Sequence, residues 1–294
     1  MVLHVHAASQ SWALLVLLGA TLLLAASFYF RGWLLLRELR LDAVPFSRAC
    51  CFLFGLLLIW AALGSPIASY HHDLLIFHMV EHLLLMTFAP ALLLLGEPMR
   101  VFWSAVPQSA QNSFGAAFHQ PLLRRFASWL ANPVLCWSVS AITLIGWHIP
   151  VLFTLGLRSD AWHASEQASF FVAGILFWWP VIRPWPSSST AAQWPILLYL
   201  FLATLPCDIL SGFLVFSDRV VYPVYFSAPR LFGLSALADQ QCAGALMWTC
   251  VTIVYLLPAA ILTTRLLAPR HSRETMWAQP DLQSPARAAA HKDR

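Results

Sequence analysis

Seven apolar runs, most of them about 20 residues long, constrain this chain more than any other feature of its sequence. A helix of that length crosses the hydrocarbon core of a bilayer, and such runs are a mark of membrane proteins. Only 10% of the 294 residues are charged, and 60% are hydrophobic. The sequence therefore predicts an all-α, polytopic transmembrane helical bundle with spans at 12–30, 46–64, 74–95, 134–155, 168–182, 194–216 and 242–262.

Helix-breaking residues end or interrupt several of the predicted spans. Pro66 follows the second span, Pro90 is expected to kink the third, and residues 146–150 interrupt the fourth. The fifth run is short, so its helix is expected to begin nearer Trp162. Residues 1–265 are predicted to form a single integral membrane domain.

Two stretches lie outside the predicted spans. Residues 122–130 are amphipathic and predict a helix that lies on the membrane surface. Residues 266–294 are rich in Ala, Arg, Pro and Ser and predict a disordered cytoplasmic tail.

The basic residues predict the orientation of the bundle. Arginines concentrate in alternate connections, at 31–40, at 100–125 and in the tail, and the connections between them are poorer in basic residues. Because cytoplasmic loops carry the excess of Arg and Lys, we expect seven spans with the N-terminus outside and the C-terminus in the cytoplasm. No basic stripe with interleaved aromatic residues occurs in the sequence, which argues against nucleic-acid binding.

The third span carries ionisable residues, which are costly in hydrocarbon and therefore mark a candidate functional site. His78 and His82 are four positions apart, so both imidazoles lie on one face of a helix, as a metal ion requires. Glu81 lies about a quarter turn from His82 and is expected to support a neighbour rather than to bind the same ion. His71 and His72 lie at the outer interface, where solvated histidines are the simpler interpretation.

The predicted topology places polar residues of other helices at the same depth, in the outer third of the membrane. His148, His163 and Asp239 are the candidates to complete a metal site with His78 and His82. The residues expected to support such a site are Glu81, Met86, Glu166, Gln167, Asp208, Gln240 and Met247. Imidazole suits zinc, copper and iron, and a thioether adds a preference for Cu(I), so ligand identity alone leaves the metal open.

The ordered set of motifs resembles the family of caa(3)-type cytochrome c oxidase assembly factors (CtaG-type). The resemblance covers roughly residues 70–260, and one departure from the family pattern is Gln167, where relatives often have histidine. The pieces that carry it are His78-Met79-Val80-Glu81-His82 with Met86 and Pro90, Gly96-Glu97-Pro98, Asn132-Pro133, Trp147-His148-Ile149-Pro150, His163-Ala164-Ser165-Glu166, Trp178-Trp179-Pro180, Tyr222 with Tyr225, and Asp239-Gln240-Gln241 with Met247-Trp248.

The resemblance implies a multi-pass protein of the bacterial inner (plasma) membrane that assists maturation of a haem-copper oxidase. We expect it to bind copper at the outer face and to pass the ion to an oxidase subunit or a copper chaperone, without enzymatic turnover. The residues alone leave open a zinc-dependent intramembrane hydrolase, with Glu81 or Asp208 as its acid, and a haem protein with two histidine ligands.

Overall fold

The computed structural model describes residues 2–38, 44–109, 111, 132–182, 194–229 and 231–267. Within these ranges the regular elements are helices and no strand occurs, which confirms the predicted all-α class. The predicted surface helix at 122–130 and the predicted tail from residue 268 onward lie outside the described residues.

Helices follow one another along the chain with short connections. The first half contains α1 (Val2–Glu38), α2 (Phe46–Gly64), a 3₁₀ segment (Pro66–His72), α3 (Leu75–His82), a π segment (Leu83–Phe88), α4 (Ala89–Leu95) and α5 (Pro98–Ala105). The second half contains α6 (Pro133–Trp147), α7 (Pro150–Arg158), α8 (Asp160–Ile182), α9 (Trp194–Phe216), short 3₁₀ turns at Pro223–Phe226 and Leu231–Gly233, and α10 (Ala236–Leu267).

Five helical stretches are long and apolar enough to cross a membrane, and the pair α6 and α7 is a sixth if it counts as one span. The remaining predicted span is α8, which has 23 residues but carries Asp160, His163, Glu166 and Gln167 in its first turns. These polar residues lower the average hydropathy of α8, so α8 is not one of the five helical stretches that are apolar enough to cross a membrane. The count of seven spans and the placement of the N-terminus outside stay predictions.

The third predicted span is one helical stretch with an irregular centre. α3, the π segment and α4 run from Leu75 to Leu95, and the π segment ends just before the predicted kink position, Pro90. Because proline has no N–H, the carbonyl of Met86 lacks the donor that an α-helix would supply at position 90. Gly174 of α8 lies against this carbonyl, so α8 approaches the irregular turn closely.

The fourth predicted span is broken, as its interruption indicated. α6 ends at Trp147, α7 begins at Pro150, and the two helices are bent by 75°. His148 and Ile149 form the break, which leaves the His148 side chain at the end of α6.

Two large apolar clusters and a small third one, formed by Met86, Phe170 and Ala173, hold the helices together. The largest cluster joins α3, α7, α8, α9 and α10, and the second joins α1, α2, α4 and α5. Helix α5 is a regular element that the sequence analysis had assigned to a connection. It packs against α1, where Ser104 Oγ donates to the Gly32 carbonyl at 3.0 Å.

Candidate metal centre

Helix α3 places three ionisable side chains in the interior of the bundle. His78, Glu81 and His82 are 0%, 2% and 5% exposed. The ring centroids of His78 and His82 lie 4.2 Å apart, as their spacing of one helical turn predicts. Helix α3 therefore carries two imidazoles and a carboxylate that are buried in the bundle.

Helix α8 supplies the carboxylate that faces the two imidazoles. Glu166 Oε1 lies 3.5 Å from His78 Nε2 and 3.3 Å from His82 Nε2, and Glu166 is fully buried. We call His78, His82 and Glu166 the His78 group. Its ligand atoms lie within 4.8 Å of one another, close enough for one metal ion to bind all three.

A second group adjoins the first. His163 Nε2 lies 3.3 Å from Glu81 Oε1, and His71 Nδ1 lies 3.9 Å from Glu81 Oε2. We call His71, Glu81 and His163 the His71 group, whose ligand atoms also lie within 4.8 Å of one another. The His78 and His163 rings are nearly parallel, with centroids 5.8 Å apart, so the two groups are neighbours.

Most of the donor and acceptor atoms in these two groups have no hydrogen-bond partner. Among the described residues, 13 buried side-chain nitrogen or oxygen atoms lack one, and nine of them belong to the two groups. Leaving a buried polar atom unpaired costs about 1–3 kcal/mol, so native proteins rarely collect such atoms in one place. A bound cation would satisfy these atoms together, which the chemistry of the donor set also favours.

The donor set of each group is two imidazoles and one carboxylate. Zinc sites use this combination, and non-haem iron and copper sites also use imidazole ligands. His71 shows which nitrogen is free to bind: its Nδ1 contacts the Ala68 carbonyl, which only accepts, so Nε2 carries the lone pair. Burial lowers the pKa of His71 and of His72, which keeps both rings in the neutral form that binds metals.

Of the predicted ligands, the structure places His78 and His82 in one group and His163 in the adjoining group, and it places His148 and Asp239 in neither. His148 lies beside Met79, with its ring centroid 6.0 Å from that of His82. Asp239 accepts the backbone N–H groups of Leu75 at 2.6 Å and Ile76 at 3.1 Å, so its carboxylate holds the first turn of α3.

The residues expected to support the site divide in a similar way. Gln167 Nε2 donates to Glu81 Oε1 at 2.5 Å, while Gln240 Oε1 accepts the Val221 N–H of a loop at 2.7 Å. Met86 and Met247 line a cavity of about 40 Å³ next to His82. Asp208 belongs to neither group, and its Oδ1 is buried without a hydrogen-bond partner.

Three members of the two groups were not among the predicted ligands. The sequence predicts His71 as a solvated residue of the outer interface, and Glu81 and Glu166 as supporting residues. The 3₁₀ segment folds His71 back over α3, to 3.9 Å from Glu81. The spacing of His163 and Glu166 was a signal that these residues could belong to the site. They are three positions apart, so they lie on one face of α8 and can both face α3.

All members of both groups lie within the part of the chain that a known family shares. The sequence model of the cytochrome c oxidase caa3 assembly factor family (Caa3_CtaG) matches residues 27–268. The chain belongs to this family. The match confirms the resemblance seen in the motifs and extends it to α2 and the C-terminal part of α1.

Longer relatives occur in mycobacteria. The chain is 24% identical to uncharacterised proteins of Mycobacterium bovis, Mycobacterium tuberculosis and Mycobacterium leprae, over 287, 287 and 294 residues. The alignments cover 96% of this chain and 42% of each relative, so the chain spans less than half the length of these proteins. No solved structure matches the chain.

Proposed function

We propose that the protein assists assembly of a haem-copper cytochrome c oxidase by binding copper within the bundle, near the outer membrane face. The ion would then pass to an oxidase subunit or a copper chaperone. One observation carries the proposal: His78, His82 and Glu166 converge on one point in the interior, and none of their ring nitrogens or carboxylate oxygens has a hydrogen-bond partner.

Charge supports a cation in each group. Glu81 and Glu166 are 2% and 0% exposed, and no lysine or arginine forms an ion pair with either of them among the described residues. A buried carboxylate needs a compensating positive charge, and neutral imidazoles do not supply one. A metal ion at the His78 group would balance Glu166, and a second at the His71 group would balance Glu81.

Within this role the residues have distinct tasks. His78 and His82 bind the ion through nitrogen, Glu166 binds it through oxygen, and Gln167 orients Glu81 of the neighbouring group by its hydrogen bond. His71 is the least buried member of the two groups, and an ion would reach the centre past this side chain. The role requires binding and release of the ion and no chemical turnover.

A zinc-dependent hydrolase is the second candidate, because two histidines and one glutamate also form the zinc site of several hydrolases. In that case Glu81 would act as the general base toward a zinc-bound water. A haem with two histidine ligands is less favoured. Both imidazoles of the His78 group project from the same face of one helix, whereas axial ligands approach iron from opposite sides.

The test is metal content of the purified protein, measured by mass spectrometry and absorption, for the wild type and for His78→Ala and His82→Ala. We expect copper in the wild type and a loss of affinity larger than the ~10–100-fold caused by removing a supporting residue. His72→Ala is the matched control, since His72 belongs to neither group.

The same variants are then introduced into cells whose oxidase is assayed. We expect His78→Ala and His82→Ala to lower the copper content and activity of the oxidase, with His72→Ala at the wild-type level. Wild-type copper content and activity of the oxidase in both variants would refute the proposed role. Zinc with hydrolysis of lipid amides or esters would favour the hydrolase, and a Soret band would indicate haem.

A further inference from the structure

His148 has one ring nitrogen whose protonation state is fixed by its surroundings. At the end of α6, His148 Nδ1 lies 2.7 Å from the carbonyl oxygen of Leu144. A carbonyl only accepts hydrogen bonds, so Nδ1 carries the proton. In the neutral ring, Nε2 then carries a lone pair.

That lone pair faces a second atom without a proton. His148 Nε2 lies 3.4 Å from Met79 Sδ, and the two side chains are 5% and 0% exposed. A thioether sulfur has no hydrogen to donate, so the contact joins two acceptors. Protonating Nε2 would bury a cation, and no carboxylate lies within ion-pair distance of His148 among the described residues.

We propose that Met79 Sδ and His148 Nε2 form a binding site for Cu(I). A cation that accepts electron pairs from both atoms removes the conflict between them, and thioether sulfur selects soft Cu(I) over zinc. With metal–nitrogen and metal–sulfur bonds of about 2.0 and 2.3 Å, a separation of 3.4 Å gives an angle near 105° at the metal. This angle suits a three- or four-coordinate ion.

The surroundings of the pair suit the same ion. His82 and His148 line the cavity of about 40 Å³ together with the sulfur-bearing side chains of Met86, Cys207 and Met247. A cavity of this size holds about one water molecule, and sulfur atoms lining it are weak ligands that allow an ion to leave. His82 belongs to both the His78 group and this cavity, so it connects the Cu(I) site to the metal centre.

The inference rests on the proposed function, because it names the oxidation state of the same copper and a second position for it. The first experiment measures Cu(I) affinity of the full protein under reducing, anaerobic conditions, in competition with a chromophoric Cu(I) chelator. Met79→Leu replaces the thioether with an apolar side chain of similar volume. Met99→Leu is the control, since Met99 is an exposed residue of α5 and does not line the cavity.

We expect Met79→Leu to weaken Cu(I) binding by at least ~10-fold and Met99→Leu to leave it near the wild-type value. His148→Ala should cause a similar loss, and the double variant should lose little more, because the two atoms act as a pair. Zinc binding at the His78 group serves as the check that each variant is folded.

X-ray absorption of the Cu(I)-bound protein gives the second readout. The wild type should show a sulfur neighbour near 2.3 Å that is absent in Met79→Leu. Equal affinities of the wild type and Met79→Leu, or a wild-type spectrum without sulfur, would overturn the site. The proposed function fails separately, through normal oxidase in the His78→Ala and His82→Ala cells.

Discussion

At the scale of single residues, the sequence could predict which polar side chains lie at a common level of the bundle, but not the partner of each side chain. Asp239 was expected to bind a metal and instead accepts two backbone N–H groups of α3. The sequence predicted that Asp239 lies level with α3, and its two contacts are in the first turn of α3. Whether its carboxylate meets a metal or the start of α3 depends on how the two helices pack, and no local pattern encodes that arrangement.

Replacing Asp239 tests this anchoring role. Asp239→Ala leaves the N–H groups of Leu75 and Ile76 without this acceptor, so we expect the free energy of unfolding to fall by about 1–3 kcal/mol for each unpaired group. Asp239→Asn keeps one acceptor oxygen and should lose less. The measurement is thermal unfolding in detergent.

A matched control for this loss lies on α9. Asp208 is also an acidic residue within a predicted span, but its Oδ1 has no hydrogen-bond partner. Asp208→Asn should therefore leave the unfolding temperature unchanged or raise it. A larger loss in Asp208→Asn than in Asp239→Ala would contradict the anchoring role.

At the scale of elements, the positions of proline and glycine predicted where helices are interrupted better than where they continue unbroken. Residues 146–150 were expected to interrupt the fourth span, and the structure bends there by 75°. Pro90 was expected to kink the third span, and a π segment ends two residues before it, at Phe88. The sequence could not show that Gly174 packs against this segment, because that contact joins residues far apart in the chain.

The close approach of α8 to the irregular turn is testable at Gly174. A Cβ added there would lie 2.7 Å from Pro90 Cγ and would also press on the backbone of Met86. Since backbone atoms cannot move aside cheaply, we expect Gly174→Ala to lower stability by about 1–3 kcal/mol. It should also weaken metal binding, because α8 carries Glu166. Thermal unfolding and metal titration measure the two effects.

Gly146→Ala provides the comparison, because a Cβ at that position meets no atom within 4 Å. Alanine favours the helix by up to about 1 kcal/mol over glycine, so this variant should be as stable as the wild type or more stable. If Gly174→Ala also matched the wild type, the packing of α8 against the π segment would be looser than described.

At the scale of the whole molecule, hydropathy predicted the bundle, but it does not determine the number of spans. Helix α8 is the reason, because the polar residues that it contributes to the candidate site also remove it from the apolar set. Hydropathy therefore identifies least well the membrane helix that carries ionisable residues. Hydropathy also does not determine the orientation of the bundle, which is predicted from the distribution of arginines.

Reporter fusions test the predicted topology. With seven spans and the N-terminus outside, alkaline phosphatase fused after Leu267 should be inactive, since the enzyme works only outside the cytoplasm. Fusions within 65–73 and 217–235 should be active. An active fusion after Leu267 would mean that the C-terminus lies outside, which would place the number of spans or the orientation in error.

The unpaired atoms of the two groups have a consequence for the life of the protein in the cell. If an ion satisfies them, the metal-bound form is more stable than the metal-free form by an amount that grows with metal concentration. Less stable proteins are removed faster by proteases. The abundance of this protein would then follow the copper supply, so that cells starved of copper would keep less of the factor whose cargo they lack.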